Sequence, residues 1–249
     1  MGTGPWVLDP DGRPFGAAGA VVMDNTLAMA LHAAEPRLQW IVTTELSLEV
    51  LRPLPADGSV LESWTRPRVA DGLGGMATGT LRGADGTEYL RASGWFQGVE
   101  RHDPAAVERF TARAALPLGP DTEVPLHRIL GASETTPAPP PGRPEVTDGF
   151  GAGWGFDRTD ELHNPHGAVH GGAMAMMAAL AAQRSMGDRA GFDLQSLRTM
   201  FLRPATGAIT SRVRLRHAGR SLRVVQVELA GAPGTRPFVQ AEAVFRPAR

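Results

Sequence analysis

The sequence contains no cysteine, and all 25 of its basic residues are arginine. The first absence excludes disulfides, a thiol nucleophile and thiolate metal sites. The second excludes a lysine Schiff base and a P-loop lysine. Tyrosine occurs once, at Tyr89, and no Gly-x-Ser-x-Gly elbow is present, which argues against a serine hydrolase of that type. Met1 to Arg13 shows no basic stretch leading into an apolar one, so no signal peptide is expected. The longest apolar run, Ala168 to Ala182, is broken by His170 and falls short of the roughly 20 residues that span a bilayer. A net charge of −1 offers nothing to nucleic acid or to an anionic membrane surface. The expectation is a soluble, cytoplasmic protein with neither nucleic acid nor membrane as a partner.

What is present suffices for a core: 249 residues, 42% of them hydrophobic. Pro137 to Pro144 reads PAPPPGRP, a stiff stretch that no compact core keeps inside. It lies in a Pro-rich, weakly patterned region, with one possible short helix near Pro104 to Ala115. The expected organisation is a first domain over 1–100, a linker over 101–148 packed outside, and a second domain over 149–249.

The two flanking segments resemble each other. Asp9-Pro10-Asp11-Gly12-Arg13-Pro14-Phe15-Gly16-Ala17 aligns with Asn164-Pro165-His166-Gly167-Ala168-Val169-His170-Gly171-Gly172, an offset of 155 (Asp9 to Asn164). An apolar, helix-like run follows in each, Ala18 to Ala34 and Ala173 to Met186. Then Leu46 to Pro53 aligns with Leu197 to Pro204 at an offset of 151 (Leu46 to Leu197). The shared order of motifs indicates a tandem duplication.

Each half reads as a helix followed by an antiparallel meander. Leu46, Leu48 and Val50 alternate with Glu45, Ser47 and Glu49, the period of a strand with one wet face. Val213 and Leu215 alternate with arginines, and Val225, Val227 and Leu229 with Gln226 and Glu228. His217 to Ser221 reads as the hairpin turn between those last two strands. Gly171 to Ala182 is apolar on nearly all sides, the mark of a helix enclosed by other structure.

A buried helix wrapped by an antiparallel sheet and opened by Asn-x-x-Gly-x-x-His-Gly-Gly (Asn164, Gly167, His170, Gly171, Gly172) resembles the hotdog fold. The pattern is closest to that of the PaaI-type acyl-CoA thioesterases. The resemblance implies an α+β double hotdog: two central helices, each wrapped by an antiparallel sheet, the halves pairing into one extended sheet. It also implies active sites between paired hotdogs. One partner supplies the Asn and the His-Gly-Gly helix start; the other supplies a carboxylate nine positions after its own His. The ninth position after His170 is Ala179, whereas the ninth after Phe15 is Asp24. One composite site should therefore be complete, with Asp24 facing Asn164, His170, Gly171 and Gly172. The other, with Ala179 facing Asp9 and Phe15, should be inert.

The chemistry has its own physical logic. The first N–H groups of a helix opened by Gly171 and Gly172 have no intrahelical partner and can receive a developing oxyanion. Asp24 follows an apolar stretch, Ala20 to Met23, where burial should raise a carboxylate's pKa toward that of a general base. It can activate water or attack directly to give an anhydride. Asn164 can orient the water or Asp24. The resemblance further suggests that Thr43, ten residues before Pro53, holds the water. Arg220 and Ser221 are candidates for gripping the phosphates or pantetheine of CoA, which enters as part of the substrate; no other cofactor and no metal is expected. The partner is an acyl-CoA or acyl-carrier thioester, and tandem hotdogs can also pair into a homodimer.

Each candidate also has a purely structural reading. Asp24 can be the N-cap of a helix starting at Asn25. His170 can be a packed ring bonded to backbone, Asn164-Pro165 a plain turn, and Thr43 an ordinary strand residue. Met174, Met176 and Met177 can line an acyl pocket or simply fill the core. His163, His166 and His170 are spaced like metal ligands but lack a fixed carboxylate. Gly72 to Ala77 half matches a dinucleotide loop but leads into a strand, not a helix. Two other functions fit the same motifs: a hotdog enoyl-CoA hydratase, although the Asp expected before Asn164 is His163, and a non-catalytic acyl-CoA-binding protein.

Overall fold

The structure, a computed structural model, describes residues 1–38, 40–100, 104–105, 107–108, 124–134, 149–157, 162–186, 191–232 and 234–248. The alternating segments form strands and the continuous apolar runs form helices. In the first half, a 3-10 turn over Gly16–Gly19 runs into α1 (Ala20–Ala34), followed by β1 (Ile41–Val50), β2 (Leu61–Asp71), β3 (Gly74–Gly83) and β4 (Glu88–Gly98). The short helix α2 (Leu126–Ile129) and strands β5 (Ala132–Glu134) and β6 (Gly151–Phe156) come next. The second half continues with α3 (Gly171–Arg184), β7 (Phe192–Phe201), β8 (Ile209–Ala218), β9 (Arg223–Ala230) and β10 (Val239–Pro247).

All ten strands belong to one antiparallel sheet in the order β2-β3-β4-β1-β7-β10-β9-β8-β6-β5. The first four strands and the next four are mirror repeats about the β1–β7 seam. Ser47 pairs with Arg198, its own counterpart at the 151 offset, while Glu45 pairs with Met200 and Glu49 with Ser196. A pseudo-two-fold axis therefore passes through the Ser47–Arg198 pair, the relation of an isologous dimer fused into one chain. Leu48 and Leu197, opposite each other at the seam, are both buried and tie the two cores together.

The duplication also shows in the loops that precede the helices. Asp9 Oδ1 accepts from the Asp11 and Arg13 N–H groups, and Asn164 Oδ1 accepts from the equivalent His166 and Ala168 N–H groups. Gly12 (φ 78°) and Gly167 (φ 74°) occupy the same left-handed position, which glycine adopts without steric cost.

The sheet wraps both helices. On α1, Met23, Leu27 and Leu31 are buried; α3 is buried along nearly its whole length, as its uniform apolarity predicted. Each fully buried Leu or Met contributes roughly 1.5–3 kcal/mol of hydrophobic stabilisation. The helices touch at the start of α3, where a Cβ on Gly172 would lie 2.5 Å from Val21 Cα and 2.7 Å from the Ala20 carbonyl oxygen.

Two expectations need adjustment. The second half does not begin with its helix: β6 precedes α3 and pairs with β8, and β5 pairs with β6. Part of the region read as linker thus completes the sheet edge, because β8 would otherwise leave a row of backbone groups unpaired. Residues 104–105 and 107–108 of the expected short helix are helical, while the polyproline stretch 137–144 lies outside the described residues. Among the described residues no helix is long and apolar enough to cross a membrane.

Gly172→Ala should separate the two helices. We expect a loss of about 2 kcal/mol or more in unfolding free energy, measured by chemical denaturation; an unchanged midpoint would show that the helix approach is not tight.

Candidate active site

Asp24 is the fifth residue of α1, so it is not the helix N-cap; the helix begins four residues earlier, after the 3-10 turn. Its side chain is 4% exposed and points across the pseudo-dyad at the start of α3. Oδ2 accepts a 2.8 Å hydrogen bond from the Gly172 N–H, and Oδ1 accepts one of 2.8 Å from the Thr43 hydroxyl. Burial pushes the Asp24 carboxyl above the ordinary aspartate range, against the opposing pull of His170 and of the bonds from Thr43 and Gly172.

His170 caps α3. Its Nδ1 accepts from the Gly172 N–H at 3.0 Å and lies 3.4 Å from Asp24 Oδ2. With Nδ1 accepting, the neutral ring carries its proton on Nε2, which donates to Asn25 Oδ1 at 2.9 Å. Asn25 therefore sets the tautomer and angle of His170. Nothing in the order of residues signals this role, since the two are 145 positions apart.

The bonding distinguishes the two glycines. The Gly172 N–H is shared between Asp24 and His170, whereas the Gly171 N–H has no partner among the described residues and Gly171 lines a cavity of about 260 Å³. A Cβ on Gly171 would lie 2.8 Å from Asp24 Oδ2 and 3.2 Å from the Thr43 hydroxyl oxygen. Of the two N–H groups expected to receive an oxyanion, that of Gly172 is engaged with the carboxylate and that of Gly171 has no partner among the described residues.

Thr43 reaches Asp24 because of a β-bulge. Simple alternation would put it on the wet face with Glu45 and Ser47, but the β1–β4 register shifts between Thr43 and Glu45. The inserted Thr44 reverses the facing, and Thr43 turns inward. It holds the carboxylate, a role different from the water-holding one expected. Asn164 lines the cavity but makes no bond to Asp24; its Oδ1 is committed to the turn, which leaves the Nδ2 amide to meet a ligand. His166 also lines the cavity, its Nε2 3.2 Å from the Ile41 carbonyl and its ring edge-on to Trp40.

The cavity thus brings together Asp24, Thr43, Asn164, His170 and Gly171, with Gly172 directly behind. Arg220 and Ser221 lie elsewhere, exposed at the β8–β9 turn. Met174, Met176 and Met177 are core residues of α3 and do not line the cavity. Gly72 to Ala77 form a hairpin turn entering β3. Among the described residues no group of three or more His, Asp or Glu is placed to hold a metal ion.

The pseudo-equivalent location contains only about 40 Å³ of space. Phe15 occupies the place of His170, Ala179 that of Asp24 and Leu194 that of Thr43. Gln183, at the counterpart of Ala28, donates to Asp9 Oδ2 at 2.6 Å and lines the remaining space.

The fold has counterparts among known structures. The whole chain superposes on a Novosphingobium aromaticivorans protein assigned as a thioesterase, with TM-score 0.65 and 17% identity over 100% of this chain and 94% of that one. It is likewise similar to the TesB protein of Mycobacterium avium subsp. paratuberculosis (TM-score 0.65, 12% identity, 96% and 89% covered). A third similar structure is the 12:0-ACP thioesterase of Umbellularia californica (TM-score 0.62, 13% identity, 100% and 92% covered). These likenesses define the class: a double hotdog. Residues 159–246 match the family described as the acyl-CoA thioesterase N-terminal domain. That match covers the second repeat only, and the likenesses to solved structures show the fold that the sequence motifs led us to expect. No curated protein matches the chain in sequence.

Two outcomes follow from the site. Replacing Ala179 by Ser in the closed location should leave turnover nearly unchanged; a large loss would mean that the working and silent sites have been exchanged. Asp24→Asn should raise the melting temperature at neutral pH. The folded-state pKa of Asp24 lies above its unfolded value, so the native state binds more protons between the two, and stability falls as pH rises through that window. The Asn variant escapes this penalty, and its advantage should vanish below about pH 4. Melting temperatures measured at pH 3.5 and pH 7 check this.

Proposed function

We propose that the protein is a cytoplasmic acyl-CoA thioesterase working at the single composite site. The observation that carries the reading is the 2.8 Å bond by which the acid of one repeat meets the helix start of the other, beside an unengaged Gly171 N–H. The family description of the second repeat supports acyl-CoA as the substrate class.

The thioester carbonyl oxygen accepts from the Gly171 N–H at the positive end of α3, where negative charge developing on that oxygen is stabilised by about 3 kcal/mol per donor. The missing Cβ lets the carbonyl approach, and the same missing Cβ leaves Asp24 next to the carbon that must be attacked. Thr43 and Gly172 fix both carboxylate oxygens, so Asp24 enters the reaction already oriented. As a general base, Asp24 takes a proton from water as the oxygen adds to the carbonyl carbon. Collapse of the tetrahedral intermediate breaks the C–S bond, and the proton passes from Asp24 to the departing CoA thiolate. As a nucleophile, Asp24 would add to the carbonyl carbon and break the C–S bond, expelling the CoA thiolate and leaving an anhydride; water then cleaves the anhydride, and a proton of that water neutralises the thiolate. Both routes start from the ionised carboxylate, so the rate should fall on the acid side as Asp24 becomes protonated. The Asn164 amide is available to hold the attacking water. The reaction uses no cofactor beyond the CoA of the substrate.

The decisive experiment is hydrolysis of a panel of saturated, 2-enoyl and aromatic acyl-CoAs by the wild-type protein and by Asp24→Asn. We expect thiol release that falls about 100-fold or more in the variant, with binding kept. Hydration of the 2-enoyl substrate without thiol release would replace this reading with that of a hydratase. Binding with no turnover in either protein would leave an acyl-CoA-binding protein.

A further inference from the structure

A second cavity lies away from Asp24, on the outer face of the sheet over β1 to β4, with a volume of about 670 Å³. Its origin can be traced through the register. One row of outward residues crosses the strands as Arg66, Thr78, Ser93 and Ser47. The next row crosses as Trp64, Thr80, Arg91 and Glu49. Short hydroxyl side chains thus form a floor between long arginines and a tryptophan.

The duplicated half supplies an internal control. Its equivalent first row is Arg214, Gln226, Glu242 and Arg198, and its second is Arg212, Glu228, Gln240 and Met200. There long side chains stand at the equivalent positions and an acid answers an arginine: Arg212 pairs with Glu228 at 2.6 Å. In the first half the positions of Gln226, Glu228 and Glu242 are held by Thr78, Thr80 and Ser93. Arg66 consequently has no acidic partner among the described residues, and Arg68 binds only the Thr78 hydroxyl, at 2.8 Å. Glu88 does neutralise Arg82 and Arg91 at the far end of the trough (2.7 and 2.6 Å). Trp64, 61% exposed, forms one wall.

We infer that this trough is a binding site for a phosphorylated ligand carrying a flat ring, the chemistry of a nucleotide. The guanidinium groups of Arg66 and Arg68 pair with phosphate oxygens in forked geometry. The Thr and Ser hydroxyls bond the remaining phosphate or sugar oxygens, and Trp64 offers its face to the base. The volume falls in the range of small-molecule sites. The site is separated from Asp24 by the sheet, and the inference does not depend on the hydrolytic reading.

Calorimetric titration of the full-length protein with ADP, adenosine 3′,5′-bisphosphate, adenosine and inorganic phosphate tests this. We expect one of the two nucleotides to bind about tenfold or more tightly than adenosine or phosphate alone, and the Arg66→Ala/Arg68→Ala double variant to lose about tenfold or more in affinity. Preference for ADP would identify a free nucleotide, and preference for the bisphosphate the nucleotide end of CoA. Arg216→Ala, on the equivalent strand of the other half, and Asp24→Asn should leave this affinity unchanged. Thr78→Gln with Ser93→Glu installs the side chains that the second half already carries at those places, so it should fill the trough and abolish binding without unfolding the sheet. No binding at about 1 mM nucleotide, equal affinity for inorganic phosphate, or affinity untouched by the arginine or filling variants would overturn the inference.

Discussion

At the start of α3 two helices from different repeats approach until only glycine fits between them, and a carboxylate of one accepts the N–H of the other. Much of the molecule serves that contact. The β1–β7 seam fixes the two repeats to each other, the bulge at Thr44 turns a hydroxyl toward the acid, and His170, anchored by Asn25, shares the same N–H. Taking an aspartate out of water is costly unless it is hydrogen-bonded. Here the cost is offset by a helix N-terminus and a hydroxyl, and what remains is a carboxyl with a raised pKa beside a free backbone donor. A destabilised acid in a fixed orientation is a common compromise of catalytic sites with stability.

The fused dimer has used its duplication unevenly. A symmetric pair would have two sites, each needing an acid from one copy and a glycine-opened helix from the other. In this chain the acid survives only in the first copy and the His-Gly-Gly opening only in the second. Both surviving parts therefore meet at one place. At the other place, large apolar side chains and Gln183 have closed the space. The outer face diverges in the opposite sense. The second copy carries long side chains there, with Arg212 neutralised by Glu228, while the first carries short hydroxyl residues and a cavity. Once fusion removes the requirement that both copies be identical, each surface can fill or open independently, because the pseudo-dyad constrains only the seam residues that face their own counterparts.

The sequence by itself determined the repeat, the enclosed helix and the strand periodicities, because these are written in local patterns: uniform apolarity on α3 and alternation in β1; the complementary pair of half-sites was implied only by the family resemblance. It also pointed to Asp24, since an acid among apolar residues has few comfortable places. Only the tertiary structure decided that Thr43 faces inward, because a bulge reverses the parity that alternation assigns. Only the tertiary structure joined Asn25 to His170 across 145 residues and engaged the Gly172 N–H while leaving that of Gly171 without a partner among the described residues. The trough on the outer face was equally hidden: its floor comes from three strands, and a row across a sheet has no image in the order of residues along the chain.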